Sequence, residues 1–170
     1  CATLDNASVK CWGQNNFGQV GDGSTTNRST PVAVGSSTWK SVSAGQLHTC
    51  GLRSDDRLYC WGYNFYGTLG DNTTTDRLSP VAVGSATWTA VSAGGFHTCA
   101  LRPDGTLWCW GENSWGQVGD GSTTQRTAPV AVGSATWKSV TSGGRHTCGI
   151  ASDTTLWCWG YNGYGQVGDN

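Results

Sequence analysis

The sequence predicts an all-β protein in which one small antiparallel sheet is repeated along the chain. Three observations lead to this fold class. The 170 residues overlay on themselves at a period of 49, without insertion or deletion. The apolar segments are short, rich in Val, Trp, Leu and Cys, and free of helical periodicity. Gly, Pro, Asp or Asn bounds these segments, as is typical of strands joined by tight turns.

The period divides the chain into three full copies and one partial copy. These are residues 1–49, 50–98, 99–147 and 148–170. In the third copy we expect four strands, at Thr98–Arg102, Leu107–Gly111, Pro129–Val132 and Trp137–Ser142, with the turn-rich segment GQVGDGSTT as a connection. A repeat of about 40 to 50 residues with four antiparallel strands is typical of a β-propeller blade. The sequence therefore predicts part of a β-propeller, with three and a half blades in 170 residues.

The turn of the first hairpin fixes the register of its two strands. The segment from Arg102 to Gly105 suits a type I turn followed by a left-handed Gly. Counting outward from this turn brings Cys99 opposite Cys109, as a non-hydrogen-bonded pair with Cβ atoms about 4.5 to 5.5 Å apart, near disulfide range. The same count predicts the disulfides Cys1–Cys11, Cys50–Cys60 and Cys148–Cys158. Each disulfide closes a loop of about ten residues and adds about 2 to 3 kcal/mol of stability.

Three of the four hairpins lack a Gly at the left-handed turn position. Ala7, Asp56 and Thr154 stand where the third copy has Gly105. Because a Cβ atom disfavours that conformation, we expect these turns to be less stable, and Ala7 and Thr154 to be the weakest points of the disulfide prediction.

Both faces of the predicted hairpin are apolar. Cys99, Leu101, Leu107 and Cys109 alternate onto one face, and Ala100, Trp108 and Trp110 onto the other. A sheet that is covered on both sides is expected of a blade that lies between two neighbouring blades, and not of a half-solvated sheet.

Composition and charge exclude several classes of protein. Ten basic and eleven acidic residues give a net charge of −1, so we expect no nucleic-acid partner and no attraction to acidic lipid. No apolar run approaches the roughly 20 residues that span a bilayer, so we expect no membrane insertion.

Eight cysteines without CxxC pairs favour disulfides in an oxidising compartment. We therefore expect an extracellular protein, secreted or at the cell surface. The absence of any Met and of a leader suggests a processed form or an excerpt.

The segment AGGFHTCALRPDGTLWCWGENSWGQVGDG, residues 93–121, resembles the repeat of the regulator of chromosome condensation family, and the resemblance recurs along the whole chain. It implies a seven-bladed β-propeller. Two cysteines per repeat are similar to the bacterial extracellular members, and the secreted β-lactamase inhibitory propeller is a further relative in fold. The resemblance implies fold more firmly than function, because paired cysteines and a neutral charge do not fit the nucleotide exchange and chromatin binding of the nuclear namesake.

A seven-bladed ring would need about twice this length, since each blade takes one 49-residue repeat. Both ends of the chain then cut a blade, and we expect the terminal blade faces to expose more apolar surface than a monomer normally shows. Either further repeats cover these faces, or copies of the chain associate into a ring or a filament. We favour both of these over a self-contained half-ring.

Two recurring sets of polar residues resemble metal sites only superficially. His48, His97 and His146 each lie two residues before a Cys, but this spacing is poor for zinc, and we expect buried, hydrogen-bonded histidines. The GDGSTT-like segments at Asp22, Asp71 and Asp120 lack the other acidic ligands of calcium loops, and we expect turns stabilised by Asp and Thr side chains. We predict no metal and no cofactor.

Some loop positions differ between copies and are candidates for a binding surface. The residues before each His are Gln46-Leu47, Gly95-Phe96 and Gly144-Arg145, and of these we take Gln46, Leu47, Phe96 and Arg145 as candidate binding residues. The alternative is that these positions are merely tolerant of change. A second aromatic series could stack on sugars, although its regularity favours packing between blades; it comprises Phe17, Tyr66, Trp115 and Tyr164.

No Ser, His and acid constellation stands out, so we predict that the chain is not an enzyme. The sequence favours an extracellular structural or binding scaffold whose partner is a protein, either another repeat of the same kind or a copy of the chain, with self-assembly into a surface or fibre structure as one form of it. The alternative is a ligand-binding or inhibitory propeller that recognises a protein or a glycan through its variable loops.

Overall fold

The computed structural model describes residues 1–169, which form thirteen β-strands and no helix. The strands are β1 (Ala2–Thr3), β2 (Val9–Gly13), β3 (Arg28–Ala33), β4 (Trp39–Ala44), β5 (His48–Arg53), β6 (Arg57–Gly62), β7 (Arg77–Thr87), β8 (Ala90–Ala93), β9 (His97–Leu101), β10 (Thr106–Gly111), β11 (Arg126–Ser142), β12 (His146–Ala151) and β13 (Leu156–Gly160). In this part of the chain no helix is long and apolar enough to cross a membrane. The all-β prediction is confirmed.

The strands form four antiparallel blades. Blade 1 contains β1, β2 and β3, and blade 2 contains β4, β5, β6 and β7 in that order. Blade 3 contains β8, β9, β10 and the first part of β11, whose second part is the first strand of blade 4 with β12 and β13. The serine hydroxyls of the first strands join neighbouring blades, since Ser43 Oγ accepts from Ala93 N at 3.0 Å and Ser92 Oγ accepts from Ser142 N at 2.8 Å. The first strands therefore lie nearest the propeller axis.

Two predictions about the third copy's strands have different outcomes. The first hairpin is confirmed to within one residue, at β9 and β10. The two later strands, predicted at Pro129–Val132 and Trp137–Ser142, are one continuous strand, β11. Gly133 bends it at a φ of 59°, and the pairing with β10 shifts register twice, so the chain passes from one blade to the next without leaving the sheet. Blades 2, 3 and 4 accordingly begin at or just after Trp39, Trp88 and Trp137, in a different phase from the repeats counted from the cysteines.

The hairpin register is the predicted one. Leu107 lies opposite Leu101 and Cys109 opposite Cys99. The cysteines are bonded in the pairs that this register predicts, with Cα atoms 4.0 to 4.1 Å apart, which is nearer to a non-hydrogen-bonded than to a hydrogen-bonded pair. The turn residues adopt the left-handed conformation even where they are not Gly, with φ of 60° at Ala7, 64° at Asp56 and 75° at Thr154.

The core lies between the blades. The face of blade 2 that carries Leu52, Leu58 and the disulfide packs against Trp88 and Trp110 of blade 3. The same contact recurs between blades 1 and 2 and between blades 3 and 4. Trp110 is fully buried. The fold therefore buries both faces of each hairpin of the middle blades, as the apolar pattern predicts.

The faces that lack a neighbouring blade are exposed. Trp12 on blade 1 is 45% exposed, although its counterpart Trp61 is fully buried. On blade 4, Leu156 is 69% exposed, whereas its counterpart Leu58 is 1% exposed. The prediction of apolar terminal faces is confirmed for the described residues.

Candidate functional site

The candidate site lies at the end of the blades that we call the loop face. Residues 45–47, 94–96 and 143–145 join the first and second strands of blades 2, 3 and 4. Residues 63–76 and 112–125 join the third and fourth strands of blades 2 and 3. In an antiparallel sheet these two kinds of loop leave from the same end, so they share one face of the propeller.

The inner loops stack on one another around the axis. Gln46 N donates to the carbonyl of Gly94 at 3.2 Å, and Gly95 N donates to the carbonyl of Gly143 at 3.0 Å. A Cβ atom at Gly94 would lie 2.6 Å from the Gly143 oxygen and 2.8 Å from the ring of His97. Glycine is therefore required here by close packing against the next loop and against its own histidine.

Buried histidines under these loops join each blade to the next. His48 Nε2 and His97 Nε2 each lie 2.8 Å from the hydroxyl of a threonine in the following blade, Thr98 and Thr147. The Thr98 hydroxyl donates its one proton to the carbonyl of Thr68 at 2.8 Å, so the His48 Nε2–H must be the donor to Thr98. The expectation of buried, hydrogen-bonded histidines is confirmed for these two.

Burial keeps these histidines neutral. Desolvation lowers the pKa of His48 to about 4. Desolvation, together with repulsion from His48 and His146, lowers the pKa of His97 to about 3. The His97 Nδ1 atom has no hydrogen-bond partner among the described residues, so a second ring proton would be buried without an acceptor. The histidines are thus structural elements of the blade joint.

The carbonyl at the centre of each joint accepts a second hydrogen bond from the next blade. Thr68 O accepts from Trp110 Nε1 at 2.9 Å as well as from the Thr98 hydroxyl. Gln19 O and Gln117 O occupy the same position in blades 1 and 3 and accept from the corresponding Thr and Trp side chains. We refer to these three carbonyls and their donors as the blade joints.

The Asp-containing loops are turns held by their own side chains. Asp120 Oδ1 accepts from both the backbone and the hydroxyl of Ser122, and Asp120 Oδ2 accepts from Arg126 Nε at 2.6 Å. Burial by itself raises the pKa of Asp120, but the hydrogen bonds from Ser122 and Arg126 outweigh it and lower the pKa overall. Asp22 and Asp71 have the same environment, with Arg28 and Arg77. The predicted Asp-centred turn is present, but the hydroxyl that donates to the carboxylate belongs to Thr only at Thr73 and to Ser at Ser24 and Ser122. An arginine supplies the positive charge beside each of these carboxylates.

An aromatic cluster lies on the loop face across blades 1 to 3. We call it the aromatic patch, and it consists of Phe17, Tyr63, Phe65, Tyr66 and Phe96. Phe17 meets Tyr63 of the next blade with ring centroids 5.0 Å apart, and Tyr66 meets Phe96 of the next blade at 5.6 Å. The predicted packing of the aromatic series between blades is confirmed for these pairs. Phe65 at the edge of the patch is nevertheless 62% exposed.

The aromatic patch ends at a cavity of about 420 Å³ on the same face, lined partly by three of the four candidate binding residues. Gln46, Phe96 and Arg145 line it together with Tyr161. Leu47 is half-buried and does not line this cavity; its carbonyl accepts from Tyr63 N at 3.0 Å. The loops thus gather residues that differ between repeats around one cavity.

Sequence reasoning missed three residues of this surface. Tyr63 and Tyr161 follow the Trp-Gly pair in blades 2 and 4, where the other blades have Gln14 and Glu112, and Phe65 occupies another position that changes from copy to copy. The same comparison of copies that identified Gln46 would have found them. In residues 1–169 no group of three His, Cys, Asp or Glu side chains is placed to hold a metal ion.

Repeated four-stranded sheets stacked around an axis define part of a β-propeller. A family model described as the regulator of chromosome condensation (RCC1) repeat matches residues 8–52, 55–101 and 104–150, and a second RCC1 repeat model matches residues 39–68, 88–117 and 137–166. The chain therefore belongs to the RCC1 repeat family. The three matches of the second model begin at Trp39, Trp88 and Trp137. Comparison with curated protein sequences finds no match.

Solved structures show the same fold. Prp20p from Saccharomyces cerevisiae is 23% identical with a TM-score of 0.82 over 95% of this chain and 43% of that one, and human WBSCR16 is 22% identical with a TM-score of 0.80 over 92% and 43%. The ectodomain of the Physcomitrella patens receptor kinase CR4 is 26% identical, with a TM-score of 0.61 over 92% of this chain and 37% of that one. The chain thus spans about two fifths of the length of these three structures.

Proposed function

We propose that this chain is a non-catalytic, extracellular binding scaffold that engages a protein partner through its loop face. The observation that carries the proposal is the aromatic patch, which continues into the cavity lined by Gln46, Phe96 and Arg145. Four disulfides support an oxidising, extracellular setting, as does the likeness to the CR4 ectodomain.

The chemistry of the patch favours a protein over a glycan. Aromatic side chains and arginine are enriched at the centres of protein interfaces, where charged residues other than arginine are depleted. Three of the five rings in the patch belong to Phe, which offers no hydrogen bond to sugar hydroxyls. The structure of Prp20p was described together with its binding to Gsp1p and histones, so a protein partner has a precedent in this family.

Photo-crosslinking tests the proposal. A crosslinking residue would replace Phe65 on the loop face or Asp55 in the hairpin turn at the opposite end of blade 2. We expect Phe65 to give one specific protein adduct in native extracellular fluid, and Asp55 to give none. The adduct should disappear when Phe96→Ser is added, with the blades still folded by circular dichroism.

Two results would contradict a protein partner. Equal adducts from both positions would show that the contact is not specific to the loop face. Binding to a polysaccharide that is lost on Phe96→Ser would favour the glycan alternative instead.

A second candidate function is self-assembly through the terminal blade faces, which we infer from their exposed apolar side chains. Trp12 lies on the outer face of blade 1, and Ile150 and Leu156 lie on the outer face of blade 4, at 45%, 41% and 69% exposure. A second copy that stacked blade 1 on blade 4 would bury the same side chains that the blade contacts within the chain bury.

Light scattering and electron microscopy over a range of concentrations test self-assembly. We expect fibres or closed rings that Leu156→Asp abolishes and that Tyr164→Asp, a change at an 88% exposed loop residue, leaves intact. Discrete monomeric particles at all concentrations would refute this second candidate.

A further inference from the structure

A small cavity of about 160 Å³ lies between blades 1 and 2, at the end of the blades opposite the loop face. Its lining includes Val34 and Ser37 from the segment that joins the two blades, and Trp39, Arg53, Tyr59 and Pro80 of blade 2. The outer strands of both blades are part of its surroundings, since Val34 follows β3 directly and Pro80 lies in β7. The cavity therefore belongs to the contact between two blades and not to an open terminal face.

The cation of this cavity, Arg53, has no acidic partner among the described residues. Its Nη2 donates to the hydroxyl of Ser37, and within residues 1–169 no Asp or Glu side chain pairs with it. The acidic residues of the adjoining turn are engaged elsewhere, since Asp56 pairs with Lys40 and Asp55 accepts from a backbone N–H of the turn. A guanidinium carries several N–H donors, so most of those of Arg53 are left for a ligand.

Two aromatic rings hold the guanidinium of Arg53 in position. Its Cζ lies 4.6 Å from the centroid of the Tyr59 ring and 5.9 Å from that of the Trp39 ring. Cation–π attraction of this kind acts on the flat face of the guanidinium, whereas its N–H donors lie in the plane of the group. The donors along the edge of Arg53 are therefore preorganised and remain available.

The copies of the repeat show that the fold does not require this arrangement. The position of Arg53 is Leu4 in the first copy and Ala151 in the last. Blade 3 does have an arginine there, Arg102, but the larger ring of Trp108 lies only 3.7 Å from its Cζ, and an alanine replaces Ser37. The combination of Ser, Arg and Tyr around one cavity thus occurs once in the described blades.

The walls of the cavity indicate the chemistry of its ligand. A carboxylate matches the fork of a guanidinium with two parallel hydrogen bonds. The Ser37 hydroxyl accepts from Arg53 and keeps its own proton, which it can donate to the same anion. Val34 and Pro80 are apolar, so the rest of the ligand is apolar too, which a free phosphate is not. A cavity of about 150 Å³ is large enough for a benzene ring.

We propose that this cavity binds a small organic carboxylate whose apolar part has about six carbon atoms. The carboxylate pairs with the edge of Arg53 and accepts from Ser37, and the apolar part packs against Val34, Tyr59 and Pro80. The site lies at the opposite end of the blades from the aromatic patch, so the inference does not depend on the proposed loop-face function.

Benzoate is the probe, and benzamide, which has the same shape without the charge, is its control. The ring of Trp39 lines the cavity, so the NMR signal of its indole N–H reports whether the cavity is occupied. We expect benzoate to shift this signal saturably, with one site per chain, and benzamide to bind about tenfold or more weakly, because charge-assisted hydrogen bonds are the stronger ones.

Three variants locate the anion. Arg53→Gln should weaken benzoate about tenfold or more, whereas Arg102→Gln, the matched change in blade 3, should leave the affinity unchanged. Arg53→Lys keeps the charge but not the planar fork, and should bind benzoate with an affinity between those of the parent chain and Arg53→Gln. Tyr59→Trp introduces the residue that blade 3 has at this position, and should fill the cavity and abolish binding while the blades stay folded.

Three results would overturn the proposal. Equal affinities for benzoate and benzamide would show that Arg53 does not pair with the anion. Equal losses in Arg53→Gln and Arg102→Gln, or full affinity in a folded Tyr59→Trp variant, would place benzoate outside this cavity. Binding of an acidic peptide, with no shift of the Trp39 signal by benzoate, would show that the arginine serves a protein partner instead.

Discussion

Removal of one hydroxyl at a blade joint should destabilise the protein by more than a single hydrogen bond is worth. Thr98→Val keeps the shape of a fully buried side chain but removes the hydroxyl that bridges His48 and the Thr68 carbonyl. The bond to the carbonyl is worth about 1 kcal/mol net, and the carbonyl still accepts from Trp110. The His48 Nε2–H, in contrast, is left buried without an acceptor, at a cost of about 1 to 3 kcal/mol. The total expected is about 2 to 4 kcal/mol.

The chain contains a matched control for this prediction. Thr49 is also buried and donates to the Gln19 carbonyl at 2.8 Å, but no histidine among the described residues donates to its hydroxyl. Thr49→Val should therefore cost only about 1 kcal/mol. The difference between the two variants isolates the contribution of the buried histidine.

Equilibrium urea unfolding, followed by tryptophan fluorescence, measures both variants. In thermal unfolding, Thr98→Val should lower the Tm by roughly 4 to 16 °C, since 1 kcal/mol corresponds to about 2 to 4 °C for a chain of this size. If Thr98→Val and Thr49→Val destabilise the protein equally, the histidine contributes nothing to the joint and the reasoning is wrong.

Three further predictions concern the same joints and the disulfides. The pKa of His97 in the folded protein is about 3, below its unfolded value of 6.5. The stability that neutral, buried His97 contributes is therefore fully present above pH 6.5 and is lost as the pH falls toward 3. Urea unfolding at several pH values should show this loss, and His97→Phe should reduce the dependence of the unfolding free energy on pH. Gly94→Ala should cost about 1 to 3 kcal/mol through its clash with the next loop, whereas Gly144→Ala, which meets nothing within 4 Å, should change the free energy of unfolding by less than about 0.5 kcal/mol. Replacing Cys99 and Cys109 together by Ala should lower the free energy of unfolding by about 2 to 3 kcal/mol, and an unchanged urea midpoint would contradict the entropic argument.

The disulfide pairs could be predicted from the sequence because they depend on short-range geometry. The two cysteines of each pair are ten positions apart in the sequence, and the turn between them has only a few conformations. The left-handed φ of Ala7 and Thr154 shows that the register imposed by the disulfide and the flanking strands outweighs the preference of the turn residue. The turn residues and the alternation of apolar residues therefore predict the same register for the hairpin.

The blade joints could not be predicted because their acceptor is main chain and their partners are far apart in sequence. Thr98 and Trp110 donate to the Thr68 carbonyl over separations of 30 and 42 residues, and His48 reaches Thr98 over 50. A carbonyl carries no side-chain signature, and the equivalent position is Gln in the three other copies. Only the buried character of the histidines could be inferred, from their position beside the cysteines.

Two rings of the aromatic patch were missed for a different reason, whereas Phe17, Tyr66 and Phe96 were already candidates in the sequence. Tyr63 and Phe65 occupy positions that differ from copy to copy, so a search for shared residues passes over them. Residues that the blade architecture requires recur at the 49-residue period, whereas residues that only some blades need do not. The candidate site was therefore predictable only in part, through the copies' differences at Gln46, Phe96 and Arg145.

The blade joints also explain why the contacts of this fold are directional. Each joint has a carbonyl from one blade and the Thr and Trp donors from the next, so a blade carries this carbonyl on one side and the Thr and Trp donors on the other. Blades can consequently be added in only one orientation, and each new blade satisfies the carbonyl of the blade before it. An RCC1 repeat is thus completed by its neighbour, and apolar surface stays exposed wherever a neighbour is lacking among the described blades.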